Sequence, residues 1–334
     1  MTNHLTTSDC DTDEKGCQNT IPVVRQLITL FDVIPEDELL SNLKSYYAGR
    51  NGYSYRVLWR TYVAMTILNL PSFAALIRTL QNNPFVAQAC GIADSSHIPS
   101  KFAYSRFMHR LQAKHSEVLV KDIMRQLTRK CYEALPGFGK TVAIDSTDLK
   151  AWSNGGKRHK SDPDAGWIVK GDTNGKRKFV YGYKLHLLLD AATEIPMAAN
   201  ITRGNFADVN QATPLLGQAR LTYGGFHPEH VLCDAAYSSG KLRKAIKRQY
   251  HAQPIIKSRK TDRSVADETP EWQQVYDHRT AVERCFGRMK TQRRLNHVTV
   301  RRRRKVSVHS LIPVIVTQAM ALAFPNAPRN CICN

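Results

Sequence analysis

Apolar and polar positions divide the chain into a first part with helical spacing and a second part where strands and helices alternate. Residues 1–20 are polar and carry no period, so a disordered tail is expected there. From Ile21 to Leu135 the pattern is helical. Pro35, followed by Glu36, Asp37 and Glu38, marks a helix start with acids in its first turn. Tyr55 to Leu70 is apolar on nearly every side and predicts a central, buried helix. Pro71 opens another helix, over Ser72 to Gln81. A turn-like stretch after Gly91 then leads into a helix from about Ser100 that carries Phe102, Tyr104, Phe107 and Leu111. Lys101, Arg106, His109 and Arg110 lie on that same helix, which suits a helix-turn-helix DNA reader. An ordinary helical bundle with a solvated basic face fits the pattern equally well.

Pro136-Gly137-Phe138-Gly139 breaks the helical pattern and marks a boundary. Beyond it, Thr141–Ser146, Phe179–Leu189, Ile195–Thr202, His230–Asp234 and Gln253–Lys257 read as strands. Helices are expected over Asn210–Leu221, Ser238–Tyr250 and one long stretch from about Glu271 to Leu295. This order predicts an α/β fold, a mixed sheet flanked by helices and preceded by an all-α region. The expected organisation is a tail over 1–20, helices over 21–135, the sheet region over 136–325 and a second tail over 326–334.

The 334 residues include 48 Lys and Arg against 28 Asp and Glu, a net charge of +20. That balance points to a polyanionic partner, nucleic acid first and an anionic membrane second. Against the membrane, the start of the chain lacks the pattern of a signal peptide. Leu311–Ala323, the most apolar run, is too short to span a bilayer and is interrupted by Pro313, Thr317 and Gln318. A buried helix is expected there. The eight cysteines (Cys10, Cys17, Cys90, Cys131, Cys233, Cys285, Cys331 and Cys333) form no CxxC pair. Reduced thiols in a cytoplasmic protein are the expectation.

Three acids occupy special places. Asp145 and Asp234 stand at the ends of two predicted strands, and Glu283 stands inside the long helix. Strand ends converge in an open α/β sheet, so all three can meet at one point. Clustered carboxylates repel unless a cation joins them, and hard oxygen ligands suit Mg²⁺ or Mn²⁺. Taken singly, an acid at a strand end is more often a turn or cap residue. The surroundings of Glu283 change that balance. Tyr276, Arg279, Glu283 and Lys290 lie near one helical face, at offsets of 3, 7 and 14 from the tyrosine. A metal ligand beside phosphate-binding cations fits a phosphodiester site.

This Tyr-Arg-Glu-Lys spacing resembles that of insertion-sequence transposases of the Asp-Asp-Glu kind. AVERCFGRMK, VLCDAAYSS and VAIDST are similar to the blocks around their three acids. SDPDAGW, YGYKLHLLLD and NITRGNFADVNQATPLL are similar to their connecting segments, and residues from about 25 to 130 resemble their N-terminal helical domain. The resemblance implies a ribonuclease-H-like catalytic domain. It implies that Asp145, Asp234 and Glu283 hold two Mg²⁺ ions, with Mn²⁺ as a substitute. It implies that Tyr276, Arg279 and Lys290 grip phosphates. The implied partners are transposon-end and target DNA, with at least a dimer on DNA. A nuclease that only hydrolyses DNA, or a non-catalytic DNA-binding descendant, are the alternatives.

Further basic residues are candidate DNA contacts. Arg293, Arg294, Arg301, Arg302, Arg303 and Arg304 form the densest charge and sit between the long helix and the apolar C-terminal run. Lys184 shares a predicted strand face with His186 and is a further candidate. His159 is expected to be one of a solvated group. Asp148, Asp190 and Asp208 are additional acids, with Asp208 expected to position the fold rather than bind metal. Trp152 and Trp167 have the chemistry to stack on an extruded base, but packing into the protein's own core is the more common use.

Overall fold

The computed structural model describes residues 11–47, 52–156, 160–171, 176–259 and 269–325, with side chains from residue 22 onward. Helices α1 (Asp11–Val33), α2 (Asp37–Tyr46), α3 (Tyr55–Ile67), α4 (Phe73–Asn82), α5 (Pro84–Ala89), α6 (Lys101–Leu111) and α7 (Lys114–Ala134) come first. Small polar residues set several of their starts. Ser72 accepts from the Ala75 amide and Ser100 from the Ala103 amide, each satisfying an orphan N–H of a first turn. Helix α3 is the buried centre expected from its composition, with Trp59, Tyr62 and every residue from Val63 to Ile67 inside. Helix α1 begins at Asp11, within the stretch expected to be a tail. Residues 326–334 lie outside the described residues.

The sheet contains β1 (Thr141–Lys150), β2 (Gly166–Gly171), β3 (Arg177–Asp190), β4 (Pro196–Arg203), β5 (His230–Cys233) and β6 (Gln253–Ile256). Its order is β2-β3-β1-β5-β6, with β4 also on β3. Strands β1, β5 and β6 run parallel, and β1, β2 and β4 run antiparallel to β3. Strand β3 is long enough to hold β4 along one half of an edge and β2 along the other. At the crossing point Gly182 leaves no room for a side chain, since a Cβ there would stand 2.0 Å from the Leu149 carbonyl oxygen. Strand β2 has no counterpart among the strands expected from the pattern. It is six residues long and bounded by Gly166 and Gly171, and it is held by pairing with β3.

Helices α8 (Val209–Thr222) and α9 (Gly240–Tyr250) cover one face of the sheet, packing on Val142, Ile144, Leu188 and Val231. The other face, with Ala143, Leu149, Leu185, Leu187 and Leu189, shares a core with the N-terminal helices and with α11 (Thr280–Gln292) and α12 (Arg303–Ala323). That core runs across the expected boundary at residues 136–139, so the helical region and the sheet are packed together. Helix α12 is long and apolar enough to cross a membrane, but 78% of its most apolar window is buried inside the protein. It packs on α1, α3, α7 and β4. Its Gln318 side chain donates to Thr128 Oγ1 at 2.8 Å and to the Pro196 carbonyl at 2.9 Å. These bonds satisfy the buried amide nitrogen.

Candidate active site

Strand register brings the two aspartates together. Ile144 pairs with Cys233 in the parallel β1–β5 ladder, so the residues that follow, Asp145 and Asp234, are neighbours where β5 stops. Only Asp234 stands at a strand end, as expected. Strand β1 continues to Lys150, which places Asp145 inside the strand and corrects the expected ending at Ser146. The continuation follows from pairing with β3, where Asp145 faces Leu187 and Asp148 faces Lys184. Glu283 lies in the first turn of α11, whose Ala281, Val282, Cys285, Phe286 and Met289 pack into the core beneath that face of β1.

Arg279 ties the third acid to the first. Its Nη2 donates to Glu283 Oε1 at 2.6 Å and its Nη1 to Asp145 Oδ2 at 3.3 Å. The Ser146 amide donates to the other Asp145 oxygen at 2.7 Å. Burial pushes the Asp145 carboxyl up to about 6; the Ser146 bond opposes this, Asp234 adds to it, Arg279 opposes it and Glu283 adds to it. Burial also works against the Arg279 charge, but the bond to Glu283 and the surrounding groups outweigh it and hold the guanidinium protonated.

Among the described residues no group of three or more His, Cys, Asp and Glu stands at metal-holding spacing. Arg279 supplies the countercharge for Asp145 and Glu283. By donor chemistry the set fits a hard divalent cation: three carboxylates, one of them driven towards its neutral form by burial and by like charge.

The expected long helix is broken into α10 (Pro270–Asp277) and α11, with His278 and Arg279 at the break. Tyr276 therefore does not continue the α11 stripe. Its ring stacks on Trp272, with centroids 4.9 Å apart, and lies under Lys257 Nζ at 5.8 Å and the Arg279 guanidinium at 5.7 Å. Trp272 and Lys257 were not singled out in the sequence. Trp272 precedes Tyr276 by one helical turn, and that spacing is the signal that marks it. Lys290 is half-buried at the far end of α11. Burial lowers its pKa, Asp148 opposes the shift and Lys170 adds to it.

The family model described as Transposase DDE domain matches residues 136–317, and that described as Transposase domain (DUF772) matches residues 17–110. The chain belongs to the transposase DDE domain family. The matched span contains all three acids and Arg279. A putative transposase for insertion sequence element IS6501 from Brucella ovis (strain ATCC 25840 / 63/290 / NCTC 10512) is 33% identical over 112 residues, which are 34% of this chain and 78% of the relative. The cryo-EM structure of a piggyBac transposase synaptic complex with hairpin DNA has a similar fold, with a TM-score of 0.51 at 12% identity. The match covers 92% of this chain and 78% of that one.

Several residues of this transposase expected to contact DNA are occupied otherwise. Arg293 and Arg294 are buried, which corrects their assignment to a DNA-facing run. Arg294, 2% exposed, donates its backbone N–H to Asn69 Oδ1 and its Nε to the Leu70 carbonyl, both at 2.9 Å. It thereby joins the α3–α4 turn to the end of α11. Lys184 is also drawn inward: its Nζ donates to both Asp208 oxygens, at 2.9 and 3.0 Å, and to the Phe206 carbonyl. Ser146 Oγ donates to the same Asp208 carboxylate at 3.0 Å. Buried His186 lies 3.7 Å from it, and burial pushes the imidazole down to about 4.

Arg301, Arg302, Arg303 and Arg304 are exposed, as expected, at the start of α12. Asp162 accepts from the Arg302 amide and Asp164 from the Arg303 amide, two carboxylates that offset part of the positive charge at this helix start. Asp190 is a turn residue that accepts from Gly139 and Thr193. Trp152 and Trp167 are exposed, against the expectation that both pack into the core. His159 lies outside the described residues.

Proposed function

We propose that this transposase cuts DNA at transposon ends and joins the freed 3′-OH to target DNA, with Mg²⁺ or Mn²⁺ held by Asp145, Asp234 and Glu283. The adjacency of Asp145 and Asp234 in the β1–β5 register, with Glu283 joined to Asp145 through Arg279, carries this reading. When bound, divalent cations would activate the attacking water or 3′-hydroxyl and stabilise the leaving oxygen. The elevated pKa of Asp145 supports a site that binds cations best once that acid is ionised. Tyr276 and Lys257 stand beside the acids with the chemistry to orient a phosphodiester, and Arg279 would join them once a cation takes over its pairing with Asp145 and Glu283. The neighbour solved with hairpin DNA supports DNA as the partner. Joining two ends calls for at least two copies on DNA. The protein would work in the cytoplasm, at the nucleoid.

The test uses purified full-length protein, a supercoiled donor plasmid bearing the element's ends, and Mg²⁺. Joined products are expected, and Asp145→Asn, Asp234→Asn and Glu283→Gln should abolish both cutting and joining. Cut but never joined DNA would reduce the activity to hydrolysis. Full cleavage by all three variants would overturn the site.

A further inference from the structure

Beyond Gly182, strands β2 and β3 run on as a two-stranded hairpin, with apolar rings turned outward. Trp167 pairs with Tyr181 and Val169 with Phe179, so these four share one face, followed by Arg177; Tyr181 is itself buried, and Trp167, Val169 and Phe179 are the exposed members. Phe179 is 57% exposed, Val169 53% and Trp167 40%; Trp152, just after β1, is 58% exposed. A burial-driven fold gains nothing from rings placed this way. Cations surround them. Lys160 Nζ lies 5.4 Å from the Tyr181 ring centre. The opposite face sets Lys170 directly across from Lys178, a like-charge pair that weakens a bare hairpin. Lys170 is paired with Asp148, while no acid among the described residues pairs with Lys178. The start of α12 is held nearby: Asp162 accepts from Tyr183 Oη and from the Arg302 amide.

Register also fixes where this face points. Asp145 pairs with Leu187, and Tyr181 (opposite the exposed Trp167) and the exposed Phe179 are six and eight residues before Leu187 on the same side of β3. At about 3.3 Å per residue the rings begin roughly 20–27 Å along the sheet from Asp145, the length of about six to eight base pairs of duplex. A paired duplex hides the faces of its bases and offers such rings only phosphate and sugar. Unpaired bases offer π-faces for stacking, while flanking cations hold the backbone. We propose that the β2–β3 hairpin is a stacking platform for unpaired nucleotides on a strand running from the carboxylate site. The proposal rests on the reading that DNA is cut at Asp145.

Full-length protein is titrated with a labelled oligothymidylate of about twelve nucleotides and, separately, with a fully paired duplex of about thirty base pairs. Trp167→Ala with Phe179→Ala should weaken oligothymidylate binding by about ten-fold or more and leave duplex binding within about two-fold. Trp167→Phe alone, which keeps a ring, should stay within about three-fold of the unmodified protein. Unchanged oligothymidylate binding in the double alanine variant would overturn the platform. Equal losses on both DNAs would overturn it too, by showing a general loss of surface or fold. So would a change in elution volume without DNA, accompanied by normal oligothymidylate binding, since a second copy would then cover the face. Neither titration requires cleavage, so a protein that stacks oligothymidylate here but never cuts a donor plasmid would sink the cleavage reading alone.

Discussion

The Arg279 guanidinium donates to the Glu283 carboxylate at 2.6 Å, from the break between two helices that the sequence pattern joins as one. The same side chain reaches Asp145, so it holds the place of a countercharge among the acids. Arg279→Ala should therefore leave the carboxylates short of positive charge and destabilise the metal-free protein. Removing one partner from a largely buried pair costs a few kcal/mol at most, and the half-exposed Glu283 end contributes little of that. Added Mg²⁺ should restore the missing charge. The rise in melting temperature on adding Mg²⁺ should then be larger for Arg279→Ala than for the unmodified protein. Equal rises would show that Arg279 and the cation do not act on the same acids.

Asp145 makes stability depend on pH in an unusual direction for a carboxylate. Its pKa stands near 6 in the folded chain, chiefly through burial, against a usual value near 4. Between those values the folded form keeps a proton that the unfolded form has lost. Stability should therefore decline as pH rises from about 4 to about 6 and level off above that. In EDTA, Asp145→Asn should remove this slope and raise neutral-pH stability by up to about 3 kcal/mol, since two pK units are worth about 2.7 kcal/mol. Urea unfolding of both proteins at pH 4.5 and 7.5 measures it. A difference between them that does not grow with pH would contradict the buried, acid-crowded setting of Asp145.

Sequence pattern made α3 and the β1 and β5 blocks that bring Asp145 and Asp234 side by side legible, because each depends on local period or on residue type. It did not separate Arg294 from Arg301. Both belong to one dense basic run, and only tertiary packing reveals that Arg294 inserts between the α3–α4 turn and α11. Lys184 was misread for the same reason: its strand face was predicted correctly, but the Asp208 that neutralises it is 24 residues away. The outward rings of Trp152 and Trp167 run against the usual fate of tryptophan, and local composition carries no sign of the exception.

The two halves of the arginine run should respond differently to mutation. Arg294→Met removes a buried cation together with its bonds to Leu70 and to the region of His309, leaving those acceptors without a donor. A loss of about 1–3 kcal/mol in unfolding free energy is expected. Arg301→Gln and Arg303→Gln touch exposed side chains and should move stability by no more than about 0.5 kcal/mol. If these two meet phosphates, each change should reduce the slope of log affinity against log salt by about one. Chemical unfolding and DNA titration across a salt series separate the outcomes. A stable Arg294→Met variant with a reduced salt slope would return Arg294 to the DNA-facing group.

Asp208 is the remaining test of how the catalytic strand is held. It receives Lys184 at both oxygens and Ser146 through its hydroxyl, and the Ser146 amide in turn holds Asp145. Asp208→Asn keeps the shape but replaces the anion that Lys184 needs, and one amide oxygen now serves three donors. The expected result is a loss of about 1–3 kcal/mol in stability, from a largely buried ammonium left poorly paired. Lys184→Met in the same background should recover part of that loss, because the unpaired cation is gone. DNA affinity should remain within about two-fold in both proteins, since neither group is free to meet a phosphate. A large affinity loss in Lys184→Met with unchanged stability would instead make Lys184 a direct DNA contact.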